Sequence, residues 1–261
     1  MIALLDMRGR LTMSKAKKVI LFIVEGITDS TALGGVLTNL LDSEAVHLEM
    51  TRGDITTKED VNAGNIIARI NAVIREAVKR YAFRPTDLQF IVHLIDTDGA
   101  FIPDSAIQND PNAAHIKYTI NTIQTAKEKA IQERNIKKSR LVGILRGKNE
   151  INKIPYKVFY FSRNMEHVFH NEIRELTPEE KMVLAEKFDD DYADNPQDFL
   201  NFISSSSFAV NGDYKQTWDF ITQGTHSLER WSNFHIYFEN ETREDRTQEE
   251  TGEIHAIDPV T

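Results

Sequence analysis

The stretch Val19-Ile20-Leu21-Phe22-Ile23-Val24 is six apolar residues in a row, and it runs straight into Glu25, Gly26 and then Asp29. A continuous apolar run that meets a glycine and is followed by helical spacing has the form of a strand covered on both faces, the central position of a parallel sheet. Open sheets of this kind bind ligands beyond the carboxyl ends of their strands. The run therefore predicts an acidic site at the edge of a sheet.

A second run of the same kind, Leu88 to Ile95, ends in Asp96-Thr97-Asp98-Gly99. Between the two runs, Ala32, Leu33, Val36, Leu37, Leu40 and Leu41 repeat at the spacing of one buried helix face, with Thr28 or Asp29 as its cap. Val46 to Met50 alternates like a strand nearer an edge, and Val61 to Tyr81 carries the stripe of a long amphipathic helix closed by Arg84-Pro85. Such alternation predicts a mainly parallel sheet with right-handed crossovers.

Downstream, Phe101 to Asn112 reads as a loop or insertion, Ala113 to Arg134 as a helix, Leu141 to Leu145 as a short apolar piece and Lys153 to Phe161 as a fourth strand. Asn164 to Glu175 reads as a helix, and Thr177-Pro178-Glu179-Glu180 is a capping box that opens another. Short helices rich in aromatic residues follow up to Phe238. The expected fold class is α/β, a Rossmann-like domain with a central mainly parallel sheet flanked by helices, plus a helical C-terminal extension. The expected divisions are an N-terminal extension at 1–18, the α/β domain at 19–175, a helical subdomain at 176–238 and a charged, disordered tail at 239–261.

The chain has 261 residues and no cysteine, which excludes disulfides, thiolate metal sites and cysteine nucleophiles and fits a reducing, cytoplasmic setting. Any metal must then sit on oxygen or imidazole. No apolar run reaches the roughly 18 to 20 residues needed to span a bilayer, and Asp6 interrupts the only apolar part of the first twelve residues, against a signal peptide. The net charge of −9 is unevenly spread: residues 115–163 carry a net +9 within an otherwise acidic chain. Such an island is what a phosphate backbone requires, though helix faces solvated by Lys and Arg look the same in sequence.

Glu25 closes one buried strand, and Asp96 and Asp98 close another. If those strands are neighbours, three carboxylates converge at one sheet edge, where a hard divalent cation is the natural compensation for their repulsion. A site made of carboxylates suits Mg²⁺ or Mn²⁺. Taken singly, Asp29 also reads as a helix cap, and Asp96 and Asp98 as turn residues.

Together, Val24-Glu25-Gly26-Ile27-Thr28-Asp29 and Ile95-Asp96-Thr97-Asp98-Gly99 resemble the two motifs of the TOPRIM fold, the metal-binding α/β domain of topoisomerases, primases and several nucleases. The resemblance covers roughly residues 19–175. The spacing of Glu25 and Asp29 is similar to the TOPRIM nucleases of the overcoming-lysogenization-defect (OLD) family and to stand-alone TOPRIM effectors of antiphage defence. It implies a Mg²⁺-dependent or Mn²⁺-dependent nuclease that hydrolyses phosphodiester bonds of DNA or RNA. Glu25, Asp96 and Asp98 would hold metal and carry the catalysis, with Asp29 as an outer or second-metal ligand. It further implies a toxic effector acting with an ABC-type or OLD-type ATPase partner chain; a homodimer is a separate expectation. Other readings are a TOPRIM nucleotidyl-transfer or RNA-maturation enzyme, and a non-enzymatic interaction protein whose carboxylates are structural.

Further candidates follow from position. Glu166 and Arg163 come just after the fourth strand, hence at the same sheet edge, as an additional acid and a phosphate clamp; Glu166 also suits the first turn of a helix. Lys148, in Gly147-Lys148-Asn149, is placed as a cation for the scissile phosphate and as a catalytic group, against the reading of a solvated loop lysine. His93 reads as a core histidine, and His167 and His170 as packing or surface residues. Trp218, Phe220, Trp231, Phe234, Tyr237 and Phe238 read as core in preference to base-stacking platforms.

Overall fold

A computed structural model describes residues 18–41 and 44–239, together with the backbone of two short strands, β1 (Ala3–Leu5) and β2 (Leu11–Met13), which pair antiparallel. The expected charged tail, Glu239 apart, and the rest of the N-terminal extension, Lys18 apart, lie outside the described residues. In chain order there follow β3 (Val19–Val24), α1 (Ile27–Leu40), β4 (Ala45–Met50), α2 (Ile66–Tyr81) and β5 (Leu88–Asp96). Next come β6 (Ile107–Asn109), β7 (Lys117–Tyr118), β8 (Ile123–Thr125), α3 (Glu128–Arg146), β9 (Glu150–Ile151) and β10 (Ile154–Phe161). The helices α4 (Met165–His170), α5 (Pro178–Tyr192), α6 (Pro196–Ile203) and α7 (Tyr214–Ile221) complete the series.

The main sheet has the order β4-β3-β5-β10-β9, with the first four strands parallel and β9 antiparallel at the edge. It is an α/β architecture of Rossmann-like type, a mostly parallel sheet between two helical layers. All six residues of β3 are buried because the layers share them by parity. Ile20, Phe22 and Val24 pack with α1, α4, α5 and α6, while Val19, Leu21 and Ile23 pack with α2, α3 and α7. From β3 the chain crosses to β4 on one side, and from β5 it crosses to β10 on the other. The point where the crossovers diverge therefore lies between β3 and β5, at the carboxyl ends where such sheets bind ligands.

Several expectations are corrected. The helix expected over Ala113 to Arg134 is displaced: the chain stays irregular or extended to Thr125, and α3 begins at Glu128 and takes in the apolar piece Leu141 to Leu145. The segment Ile116 to Thr125 is rich in Ile, Thr and Tyr, which fit a pleated surface better than a helix. Residues 101–127 form an insertion with its own three-stranded sheet, order β6-β8-β7, over a small core of Ile102, Ala106, Ile107, Ile123, Ile131 and Leu228. Helix α2 starts at Ile66 rather than Val61, because the Asn62 and Asn65 side chains hydrogen-bond backbone amides in the turn before it. The helix expected to Glu175 stops at His170, where Asn171 turns left-handed. The last of the expected short helices, Ser227 to Phe238, forms only in part: His226–Leu228 is a 3₁₀ turn, Ser232 bridges Phe161 and Ala209, and residues 235–239 are helical.

The helices after residue 175 share the sheet's own core. Phe188, Phe199 and Ile203 lie in the cluster with α1 and β3, and Trp218 and Ile221 in the cluster on the opposite face. Trp218, Phe234, Tyr237 and Phe238 are buried, as core residues are. Among the described residues no helix is long and apolar enough to cross a membrane.

Candidate functional site

The carboxyl ends of all four parallel strands bring acids to one edge. Glu25 follows β3, and its Oε1 accepts a hydrogen bond of 3.2 Å from the backbone N–H of Asp96 at the end of β5. Asp96 Oδ1 accepts in turn from the N–H of Met165, the first residue of α4 beyond β10, at 3.1 Å. Asp29 Oδ2 accepts from the N–H groups of Glu25 and Gly26 at 3.1 and 3.0 Å, so it caps α1 and pins the strand-to-helix turn. Asp29 is thus the third residue of the helix that Gly26 opens, and the turn it fixes carries Glu25.

Asp98 lies two residues past Asp96 with φ 49°, a left-handed conformation that Asp tolerates better than most residues. The chain turns there before a stretch of backbone that approaches Leu228 closely at Gly99. Asp98 Oδ2 is 2.5 Å from Lys138 Nζ, and the same ammonium is 2.8 Å from Asp54 Oδ2 in the loop after β4. Lys138 is 0% exposed. Asp54 Oδ1 is held by the N–H and hydroxyl of Thr56 at 2.7 and 2.6 Å. Glu166, buried in α4, pairs with Lys181 of α5 at 2.9 Å.

Electrostatics follow from this packing. Burial, then the charges of Glu25, Asp29, Glu166 and Asp98, hold the Asp96 carboxyl well above the usual range. Burial likewise raises Glu25, against the pull of Lys138. Burial carries Asp29 to about 6, although the Gly26 N–H favours its charged form. Asp54 goes the other way: burial pushes it up, but Lys138 and Thr56 outweigh that and hold it below the usual range. The edge therefore holds six carboxyl groups against two lysines.

Arg163 follows β10 and lies across from Asp98, whose N–H donates to the Arg163 carbonyl at 2.9 Å. Its guanidinium stands 4.9 Å over the ring of Tyr118 in the insertion. Arg163 and Asp98 both line a cleft of about 890 Å³ between the insertion and the segment joining α4 to α5.

The structure thus brings Glu25, Asp29, Asp96, Asp98, Glu166 and Arg163 to one edge. It does not bring Lys148 there. Lys148 is exposed in the turn from α3 to β9, and its neighbour Asn149 pairs with Tyr156, in the half of β10 far from the carboxylates. The reason is topological: a residue before a parallel strand arrives at the edge opposite the one reached by residues after it. The lysines at the site are Lys138 and Lys181, and Asp54 joins them; the sequence reading singles out none of the three. The signal for Lys138 was the stripe Ile131, Asn135, Lys138, Leu141 and Leu145, buried along one face of α3. His93 is fully buried with Nδ1 2.8 Å from the Tyr156 hydroxyl, and His167 is buried beside α4's core residues, in keeping with packing roles.

Among the described residues no group of three or more His, Asp or Glu side chains is arranged to hold a metal ion. The donors nonetheless fit a hard cation in kind, being all oxygen and mutually repelling. No family model, curated protein or solved structure matches this chain.

Proposed function

We propose that the chain is a metal-dependent phosphodiesterase of TOPRIM type, a nuclease acting on DNA or RNA. The observation that carries this reading is the contact of Glu25 with the Asp96 backbone, which joins two acidic strand ends across the divergence point of the crossovers. Six buried or half-buried carboxyl groups at one edge repel one another, and burial with that repulsion raises Glu25, Asp96 and Asp29 above the usual carboxylate range, an environment that favours a hard cation.

Glu25, Asp96 and Asp98 would hold Mg²⁺ or Mn²⁺, with Asp29 and Glu166 around them; when bound, the ion supplies activation of water and neutralises charge on the phosphate. The chain's own groups do the rest. Lys138 orients Asp98 and keeps Asp54 ionised, Met165 N–H fixes the Asp96 carboxyl, and Asp29 sets the turn on which Glu25 sits. Arg163, across from Asp98, positions the phosphate.

The test is a cleavage assay on plasmid DNA, linear DNA and total RNA with Mg²⁺ or Mn²⁺. Glu25→Ala and Asp96→Ala, checked for native circular dichroism, are each expected to abolish metal-dependent cleavage. Cleavage unchanged in either variant overturns the assignment.

A further inference from the structure

Arg163 is 5% exposed, yet its Nε and Nη1 have no hydrogen-bond partner. Buried donors of a guanidinium are normally satisfied, and an exception in a cleft wall calls for an acceptor from outside the chain. The fork of a guanidinium matches the oxygens of a phosphate. The residue is held in place from both sides: its N–H is bonded to Ser227 O and Thr97 Oγ1, and its φ of 57° is a left-handed conformation that these bonds sustain. The Tyr118 ring beneath it is fixed by a 2.8 Å hydrogen bond from Arg134 to the phenolic oxygen.

The cleft that Arg163 lines is about 890 Å³, inside the roughly 300–1,000 Å³ of pockets that enclose one small ligand. A duplex is read by elements that protrude into a groove about 12 Å wide. Here the arginine is a buried residue of a cleft wall that Asp98 also lines, and a strand free of its partner, or a nucleotide turned out of the stack, fits such a space better than a duplex does. One wall, from the insertion, carries His115, Lys117, Lys127 and Tyr118, a basic and aromatic surface of the kind that tracks a single-stranded backbone.

We infer that this cleft binds an unpaired nucleic acid strand, RNA or DNA, with one backbone phosphate on Arg163 and the neighbouring backbone along the insertion. The inference rests on the nuclease reading for its place beside the carboxylates, but it concerns binding and is tested without cleavage.

The experiment is fluorescence anisotropy of the full chain in EDTA with labelled oligo(U), oligo(dT) and a blunt duplex of equal length. The single strands are expected to bind about tenfold or more tighter than the duplex, and Arg163→Gln to weaken single-strand binding about tenfold. Arg163→Lys, which keeps charge but not the fork, restores only part of it. Should Arg163→Gln misfold, Lys117→Glu with Lys127→Glu, both at exposed positions, is expected to give the same selective loss. Equal or tighter duplex binding overturns the inference, as does single-strand affinity unchanged in the folded variants. A protein that binds single strands but never cleaves leaves this inference standing and removes the nuclease reading; one that cleaves duplex in preference does the reverse.

Discussion

A lysine taken out of water tends to lose its proton, because burial disfavours the charged form. Lys138 is fully buried and keeps its proton, since the charges of Asp98, Asp54 and Glu25 outweigh the burial. Removing one member of a buried ion pair leaves the other uncompensated, a loss of about 3 kcal/mol or more. Lys138→Met is therefore expected to lower the unfolding free energy by about 3 kcal/mol in urea titrations. Adding Asp54→Asn to it should restore part of that loss. A single variant as stable as the parent would show that the ammonium is not the counter-charge described. Its role escaped the sequence because a lysine in a basic island resembles a solvated one; only the burial of its neighbours on α3 distinguishes it.

Among the elements, α1 and α5 approach one another closely at Gly35, whose N–H donates to Asp189 Oδ1 at 3.1 Å. A Cβ on Gly35 would come within 2.8 Å of the Ala193 Cβ, whereas one on Gly34 would meet nothing within 4 Å. In a helix interior alanine is better than glycine by roughly 1 kcal/mol. Gly34→Ala is thus expected to raise the melting temperature and Gly35→Ala to lower it, read by thermal denaturation of the two side by side. A rise in both would mean that α5 does not pack where described. The glycines themselves look alike in sequence, and the partner that separates them lies 154 residues away. The same limit explains α3: its periodicity is visible from Ile131 to Leu145, but the β-branched segment before it obscured where the helix begins.

For the molecule as a whole, pH reports on burial. Burial lowers the pKa of His93 to about 4, against a slight opposing pull from Asp54. With a folded value below the unfolded one, His93 leaves stability intact above about pH 6.5 and removes it as pH falls toward 4. The contribution is on the order of 3 kcal/mol across that window. His93→Gln is expected to flatten this part of the acid-stability curve, measured by urea unfolding at successive pH values; a curve parallel to the parent's would contradict the burial of an uncharged imidazole. Charge is also partitioned over the whole molecule. The acidic helices α5 and α6 pack on the α1 side of the sheet and α3 on the other, so those helices do not cover the basic one.

The sequence by itself determined the buried strands, their alternation with helices and the acids that end them, because parity and helical spacing are local and a parallel sheet sends every strand end to one edge. Glu25, Asp96, Asp98, Glu166 and Arg163 were legible on that ground. The tertiary structure alone decided what those acids meet. Lys148, expected at the site, stands at the wrong end of its strand, while Lys138 and Asp54 arrive from a helix and a loop 84 residues apart. Which cation neutralises an acidic edge depends on three-dimensional distance, and the apolar pattern that sets the strands carries no record of it.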